Sequence, residues 1–160
     1  MRAVLQRVSR AAVHVDGRVV AQMGPGLLVL LAAGQGDGPV QADWMADKLL
    51  HLRVFPDQDG KMNRDLLDVG GELIAVSQFT LYGDCRKGRR PAFVQALEPE
   101  AAARLIEAFV AQVRAAGVRC GTGVFGAHMQ VELVNDGPVT LLVDSALPRS
   151  AGAQGFSGQG

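Results

Sequence analysis

The chain has little of what most redox and metal chemistry needs: two cysteines and three histidines in 160 residues. Cys85 and Cys120 are too few for a disulfide framework and form no C-x-x-C pair, so both are read as reduced thiols. His14, His51 and His128 stand without H-x-x-x-H or H-E-x-x-H spacing, which leaves no histidine-built metal site, and neither a metal nor a cofactor is predicted. Net charge is lacking as well. Sixteen basic residues cancel sixteen acidic ones, so attraction of the whole molecule to a polyanion is excluded and any such partner must be met by a local patch. The longest apolar run, residues 27–33, is seven residues, against the roughly 20 that a transmembrane helix requires. Arg2, Gln6 and Arg7 interrupt any secretory h-region, so the expected protein is cytoplasmic and makes no membrane contact.

What is present suits a folded domain. At 48% hydrophobic and 20% charged residues the composition supports a core, and the length is that of about one domain. Near the N-terminus, apolar and polar residues alternate with the period of half-buried strands, and Asp16-Gly17 marks a hairpin turn before residues 18–23. Residues 27–33 have the length of a strand covered on both faces. Asp37-Gly38-Pro39 starts a helix whose apolar positions are Met45, Leu49 and Leu52. Residues 56–60 predict a turn, 61–71 a loop, and 73–76 a short strand running into Ser77. The clearest helix covers residues 99–116, where Ala102, Leu105, Ile106, Phe109 and Val113 form one stripe and Gly117 stops it. Residues 129–133 and 139–143 alternate about Asn135-Asp136-Gly137-Pro138, which predicts a terminal hairpin. Residues 146–160, with four glycines and no periodicity, predict a flexible tail behind a single domain over 1–145. The fold class expected is α+β: a largely antiparallel sheet or barrel-like β core with two main packing helices.

Few motifs carry chemistry. Gly34-Gln35-Gly36-Asp37-Gly38 imitates a dinucleotide-binding loop, but its sixth position is Pro39 and the surrounding hairpins predict an antiparallel sheet. Asp57-Gln58-Asp59-Gly60 lacks the spaced ligands of a calcium loop. Residues 86–90 place four positive charges in five positions, either a solvated loop or a phosphate contact. Ser77 and Thr80 have no general base nearby in sequence and no G-x-S-x-G elbow. They could equally end a strand by bonding backbone, whereas the bend itself offers main-chain N–H groups able to hold an oxyanion. At Gly137-Pro138 a cis bond would aim both flanking carbonyls the same way, but cis is found at about 5–6% of X–Pro bonds, so these residues alone predict a trans turn.

Taken together, Ser77-Gln78-Phe79-Thr80-Leu81, the following Tyr82-Gly83-Asp84-Cys85-Arg86-Lys87-Gly88-Arg89-Arg90-Pro91, Asn135-Asp136-Gly137-Pro138-Val139-Thr140 and the opening Gln6-Arg7-Val8 resemble the D-aminoacyl-tRNA deacylase family, also known for D-tyrosyl-tRNA. The resemblance implies a metal-free homodimeric ester hydrolase acting on the 3′ acceptor end of aminoacyl-tRNA, with no cofactor and no DNA partner. The substrate would be a D-aminoacyl-tRNA, or glycine mischarged on alanine tRNA. It also implies a cis Gly137-Pro138 motif, braced by Arg7, that enters the other subunit's pocket and rejects L side chains. Substrate would be held by Ser77, Gln78, Phe79 and Leu81, with catalysis resting on the main-chain N–H groups around Phe79 and Thr80, on Gln78 as an orienting group, and on Thr80 as an alternative nucleophile or water-positioning hydroxyl. Arg86, Lys87, Arg89 and Arg90 would meet the tRNA backbone. Two other readings stay open on the residues: a non-catalytic RNA-binding module built on the basic run, and a hydrolase using Thr80 covalently on another ester.

Overall fold

A computed structural model of the chain describes residues 1–145; the tail expected over 146–160 lies outside the described residues. Strand β1 (Arg2–Val15) is the organising element. It turns at Asp16-Gly17, both at positive φ as a type I′ hairpin needs, into β2 (Arg18–Met23). Farther toward its start, β1 pairs antiparallel with β3 (Gly26–Ala32), the continuous apolar run. That strand is buried on both faces. Leu27, Val29 and Leu31 point into one cluster with Leu5, Met45, Leu49, Leu73, Phe109 and Val113, while Leu28 joins Val8, Val13, Met23, Ile74 and Val76 in a second. The first cluster lies beneath helices α1 (Pro39–Leu50) and α2 (Pro99–Ala115). Proline at each first turn, and Gly117 at φ 86° after α2, delimit them as the spacing predicts.

The core is the largely antiparallel, barrel-like sheet with two packing helices that the sequence predicts, but two of its pairings are parallel. Strand β6 (Glu72–Ser77) lies parallel to β3, and β7 (Cys120–Thr122), a strand that the sequence does not announce, lies parallel to β6. The β3-to-β6 connection is therefore a parallel crossover carrying α1, and an antiparallel setting no longer argues against a dinucleotide loop at Gly34; the proline at its sixth position still does. Within the segment expected to be loop, β5 (Met62–Arg64) pairs with β4 (Phe55–Pro56) as a short ribbon. The main strand order is β2-β1-β3-β6-β7, with β2 approaching β7 so that the sheet nearly closes into a barrel.

The expected terminal hairpin is not formed. Residues on either side of Asn135-Asp136-Gly137-Pro138 belong to one strand, β8 (Gln130–Asp144), and both halves pair antiparallel with β1. The partners Val8↔Asn135 and Gln6↔Thr140 show that two steps along β1 are matched by five along β8. The surplus leaves the ladder as an outward excursion, and the chain continues in the same direction. The fourteen residues of β1 supply a template long enough for both halves, a pairing no local pattern reports.

Candidate active site: an amide-bearing turn and a clamped excursion

Strand β6 ends at Ser77, and the N–H of Gln78 extends its ladder by donating to the Leu31 carbonyl at 2.8 Å. The chain then winds into a 3₁₀ turn, Phe79–Tyr82, closed by Leu81 N–H to Gln78 oxygen at 3.1 Å and Gly83 N–H to Thr80 oxygen at 2.9 Å. The N–H groups of Phe79 and Thr80 precede the first of these bonds and have no partner within the turn. Both residues are exposed, and their N–H groups are adjacent donors at the start of the turn. Such a pair stabilises a developing oxyanion without needing a reactive side chain.

The side chains fit that division of labour. The Gln78 amide donates to the Thr80 hydroxyl oxygen. A donor in that place cannot take the hydroxyl proton, so it does not activate Thr80 as a nucleophile. Two of the histidines face carboxylates elsewhere: His51 Nδ1 is 3.1 Å from Asp65, and His14 Nε2 stands 3.8 Å from Glu132 without a hydrogen bond among the described residues. The Phe79 ring meets Phe93 edge to face with centroids 5.1 Å apart. Phe93 belongs to the base of the loop carrying the basic run, whose flanks are joined by Asp84 and Ala92 exchanging backbone hydrogen bonds at 2.7 and 3.0 Å.

At the tip of that loop the four cations are not equivalent. Arg86 is engaged by Asp84 through Nε at 2.8 Å, a terminal nitrogen at 2.6 Å and its own N–H at 3.0 Å, an arrangement that holds the Asp84 carboxyl well below the usual carboxylate range. Lys87, Arg89 and Arg90 are exposed and form no ion pair among the described residues.

The second signature is the excursion from β8. Its Gly137–Pro138 bond is cis, which corrects the trans turn expected from those residues alone and agrees with what the resemblance implies. Gly137 sits at φ 143°, and a Cβ there would come within 2.9 Å of the Val139 nitrogen and 3.1 Å of an Arg7 terminal nitrogen. Arg7, largely buried on β1, donates from Nε to the Asp136 carbonyl at 2.9 Å and from a terminal nitrogen to the Val54 carbonyl at 2.5 Å. Asn135 closes the base of the excursion, accepting from Val139 N–H and donating to Thr140 Oγ1, both at 3.0 Å, and Gln6 donates to the same hydroxyl at 3.1 Å. Gly137 and Pro138 remain exposed at its tip.

Within one chain these two features are apart. Ser77, Leu31, Ala3 and Val143 form one row across β6, β3, β1 and β8, which separates the strands bearing the turn and the excursion by three strand spacings, about 14 Å along the sheet. The residues of the turn and excursion are legible in the sequence, whereas no local pattern marks Arg2, Asp37 and Phe93 as groups that contact the turn or its Tyr82. The one trace of them is indirect: Tyr82, the chain's single tyrosine, stands inside the first signature.

A small β barrel with two helices, an amide-bearing turn and a clamped glycine–proline excursion describes a recognised class. The family profile for D-Tyr-tRNA(Tyr) deacylase matches residues 4–144. The D-aminoacyl-tRNA deacylase of Heliobacterium modesticaldum is 60% identical over 144 residues, covering 90% of this chain and 96% of that protein. That of Clostridioides difficile is 57% identical over 146 residues, covering 91% and 98%. Among solved structures, c-Myc DNA unwinding element binding protein superposes with a TM-score of 0.85 at 40% identity, covering 91% of this chain and 99% of that one. This chain belongs to the D-Tyr-tRNA(Tyr) deacylase family.

Proposed function

We propose that this chain hydrolyses the ester joining a D-amino acid to the terminal adenosine of tRNA, that residues 1–145 carry the activity, and that two copies build each active site. The carrying observation is the separation of the two signatures within one chain, together with the outward, exposed presentation of Gly137 and Pro138. A rigid excursion with an exposed tip fits insertion into a second copy, beside that copy's residues 77–81. Val134, Leu141 and Leu142, exposed at 42, 39 and 77% on β8, supply apolar surface for such a dimer.

In this reading the ester carbonyl faces the N–H groups of Phe79 and Thr80. Water adds to the carbonyl carbon, the oxyanion is held by the two amides, and the carbon–oxygen bond to ribose breaks with the ribose oxygen leaving protonated. The neighbouring 2′-hydroxyl assists that proton movement, while Gln78 and the Thr80 hydroxyl orient substrate, with Ser77 and Leu81 flanking it. The partner's Gly137 and Pro138 carbonyls crowd the position an L side chain would occupy. A D side chain points away from them, and glycine has none to reject, so glycine on alanine tRNA is also cleaved. Selection by exclusion of one hand tolerates many D side chains. Lys87, Arg89 and Arg90 contact the tRNA backbone.

The test is hydrolysis of D-tyrosyl- and L-tyrosyl-tRNA by the purified chain, with its mass in solution. Fast release from the D form alone by a dimer is expected. Equal rates on both forms would overturn the chiral filter, and RNA binding without release would favour a non-catalytic binding module.

A further inference from the structure

The turn that carries the two amides has no buried residue of its own, yet an oxyanion site needs its donors fixed within a few tenths of an ångström. Its N-terminal end is held by the Gln78–Leu31 bond already described. Its C-terminal end is held by groups gathered from elsewhere in the chain. Arg2, on β1, donates to the Leu81 carbonyl at 2.8 Å and from Nε to Asp144 at 2.8 Å, and its guanidinium carbon lies 4.5 Å from the centre of the Tyr82 ring. The Tyr82 hydroxyl donates to Asp37 Oδ2 at 3.3 Å. That carboxylate also accepts from Gly34 N–H at 2.7 Å and from the Met1 ammonium at 2.6 Å. The ring lies directly against the backbone at Gly34, where a Cβ would come within 2.4 Å of it.

Of these groups, Arg2, Asp37 and Tyr82 line an open cleft of about 770 Å³ beside the turn. Its four charged members, Arg2, Asp37, Asp84 and Arg86, are all already engaged by one another or by their neighbours. A cleft whose charges are satisfied internally is suited to holding its own wall in place more than to capturing a ligand.

We infer that Arg2 and Tyr82 are positioning residues for the deacylation site: they clamp the Leu81–Tyr82 end of the turn and thereby set the direction of the Phe79 and Thr80 N–H groups. Burial, together with the Asp37 and Asp144 carboxylates, pushes the pKa of the Tyr82 hydroxyl well above the usual phenol value against the opposing effect of Arg2, so it remains a neutral donor. The inference rests on the deacylase reading of the same site.

The test uses the full chain and three variants. Tyr82→Phe keeps the ring and removes only the hydroxyl, Arg2→Met keeps a stem and removes the donors, and Arg2→Lys restores one donor toward Leu81. With D-tyrosyl-tRNA, kcat should fall about 3- to 10-fold in Tyr82→Phe and about 10- to 100-fold in Arg2→Met, less than the full loss of an oxyanion donor. KM should stay within about twofold, because the change is felt in the transition state. Arg2→Lys should recover part of the loss, and the effects of Arg2→Met and Tyr82→Phe should combine less than additively. Amide resonances of Phe79 and Thr80 should move in every variant. Unchanged kcat in folded Tyr82→Phe and Arg2→Met, or unmoved Phe79 and Thr80 resonances, would overturn the clamp. If the parent chain does not release D-tyrosine, the deacylase reading fails instead, and the resonances still decide whether the clamp positions the turn.

Discussion

Arg7 donates from Nε to the main-chain oxygen of Asp136 at 2.9 Å, so a strand residue near the start of the chain supports the backbone next to Gly137 from beneath. The same guanidinium bonds Val54, which ties the excursion to the segment following α1. A fork of fixed donors serves this purpose better than a flexible ammonium, because it satisfies both carbonyls at once.

Arg7→Ala should therefore loosen the excursion more than the fold. Removing a largely buried group that satisfies two carbonyls is expected to cost about 1–3 kcal/mol in urea unfolding. The ratio of D- to L-tyrosyl-tRNA hydrolysis should fall at least about tenfold, and Arg7→Lys should lie between. Intact selectivity in Arg7→Ala would show that the excursion holds itself.

Gly137→Ala adds one carbon where the backbone is at φ 143° and the Val139 nitrogen and Arg7 stand within about 3 Å. Displacement of the tip is expected, with release of L-tyrosine from L-tyrosyl-tRNA becoming measurable while the D-substrate rate changes less. Parallel assays of both charged tRNAs check it.

Thr80→Val removes the hydroxyl and keeps the main-chain N–H. If amides do the chemistry, kcat should drop no more than about tenfold, and no acyl-enzyme should be seen by mass spectrometry of quenched reactions. Loss of all turnover, or a trapped adduct on the parent chain, would return the nucleophile role to Thr80.

The basic tip should divide unequally. Replacing Lys87, Arg89 and Arg90 by Gln should raise KM for charged tRNA and lower the slope of log affinity against log salt by about 0.7–0.9 for each lost phosphate contact. Arg86→Gln should do less, since Asp84 already engages that side chain. Equal effects at all four positions would mean that the Asp84 pair opens on binding.

Thiol labelling at pH 8 offers an independent check of the fold. Burial pushes the Cys120 thiol up to about 11, whereas Cys85 is exposed. Thiolate is the reacting form, and it is scarce three pH units below such a value, so native protein should be alkylated at Cys85 alone and denatured protein at both. Reaction of Cys120 in the native state would contradict its burial under α2.

Much of the framework could be read locally. Asp16-Gly17, the two-sided burial of residues 27–33, Pro39 and Pro99 at their helix starts and Gly117 after α2 each declare themselves through backbone preference or periodicity over a few neighbours. Residues 135–138 mislead for the same reason. A turn signal flanked by alternating segments looks alike whether the chain reverses or merely bulges, and only the length of β1 decides. The short β4–β5 ribbon and β7 are likewise held by partners distant in sequence, with too few residues to carry a period of their own.

The sequence by itself determined a β-rich domain with two helices, the identity of both signatures and the absence of a recognisable base near Thr80. The tertiary structure overturned the trans bond that Gly137–Pro138 alone predicts, and it alone decided the separation of the excursion from the turn, the engagement of Arg86 by Asp84 and the gathering of Arg2 and Asp37 at the Leu81–Tyr82 end of the turn. The physical reason is range: propensity and period act across a few residues, whereas these contacts join groups 45 to 142 positions apart in the chain, except for Arg86 and Asp84, whose pairing depends on side-chain geometry.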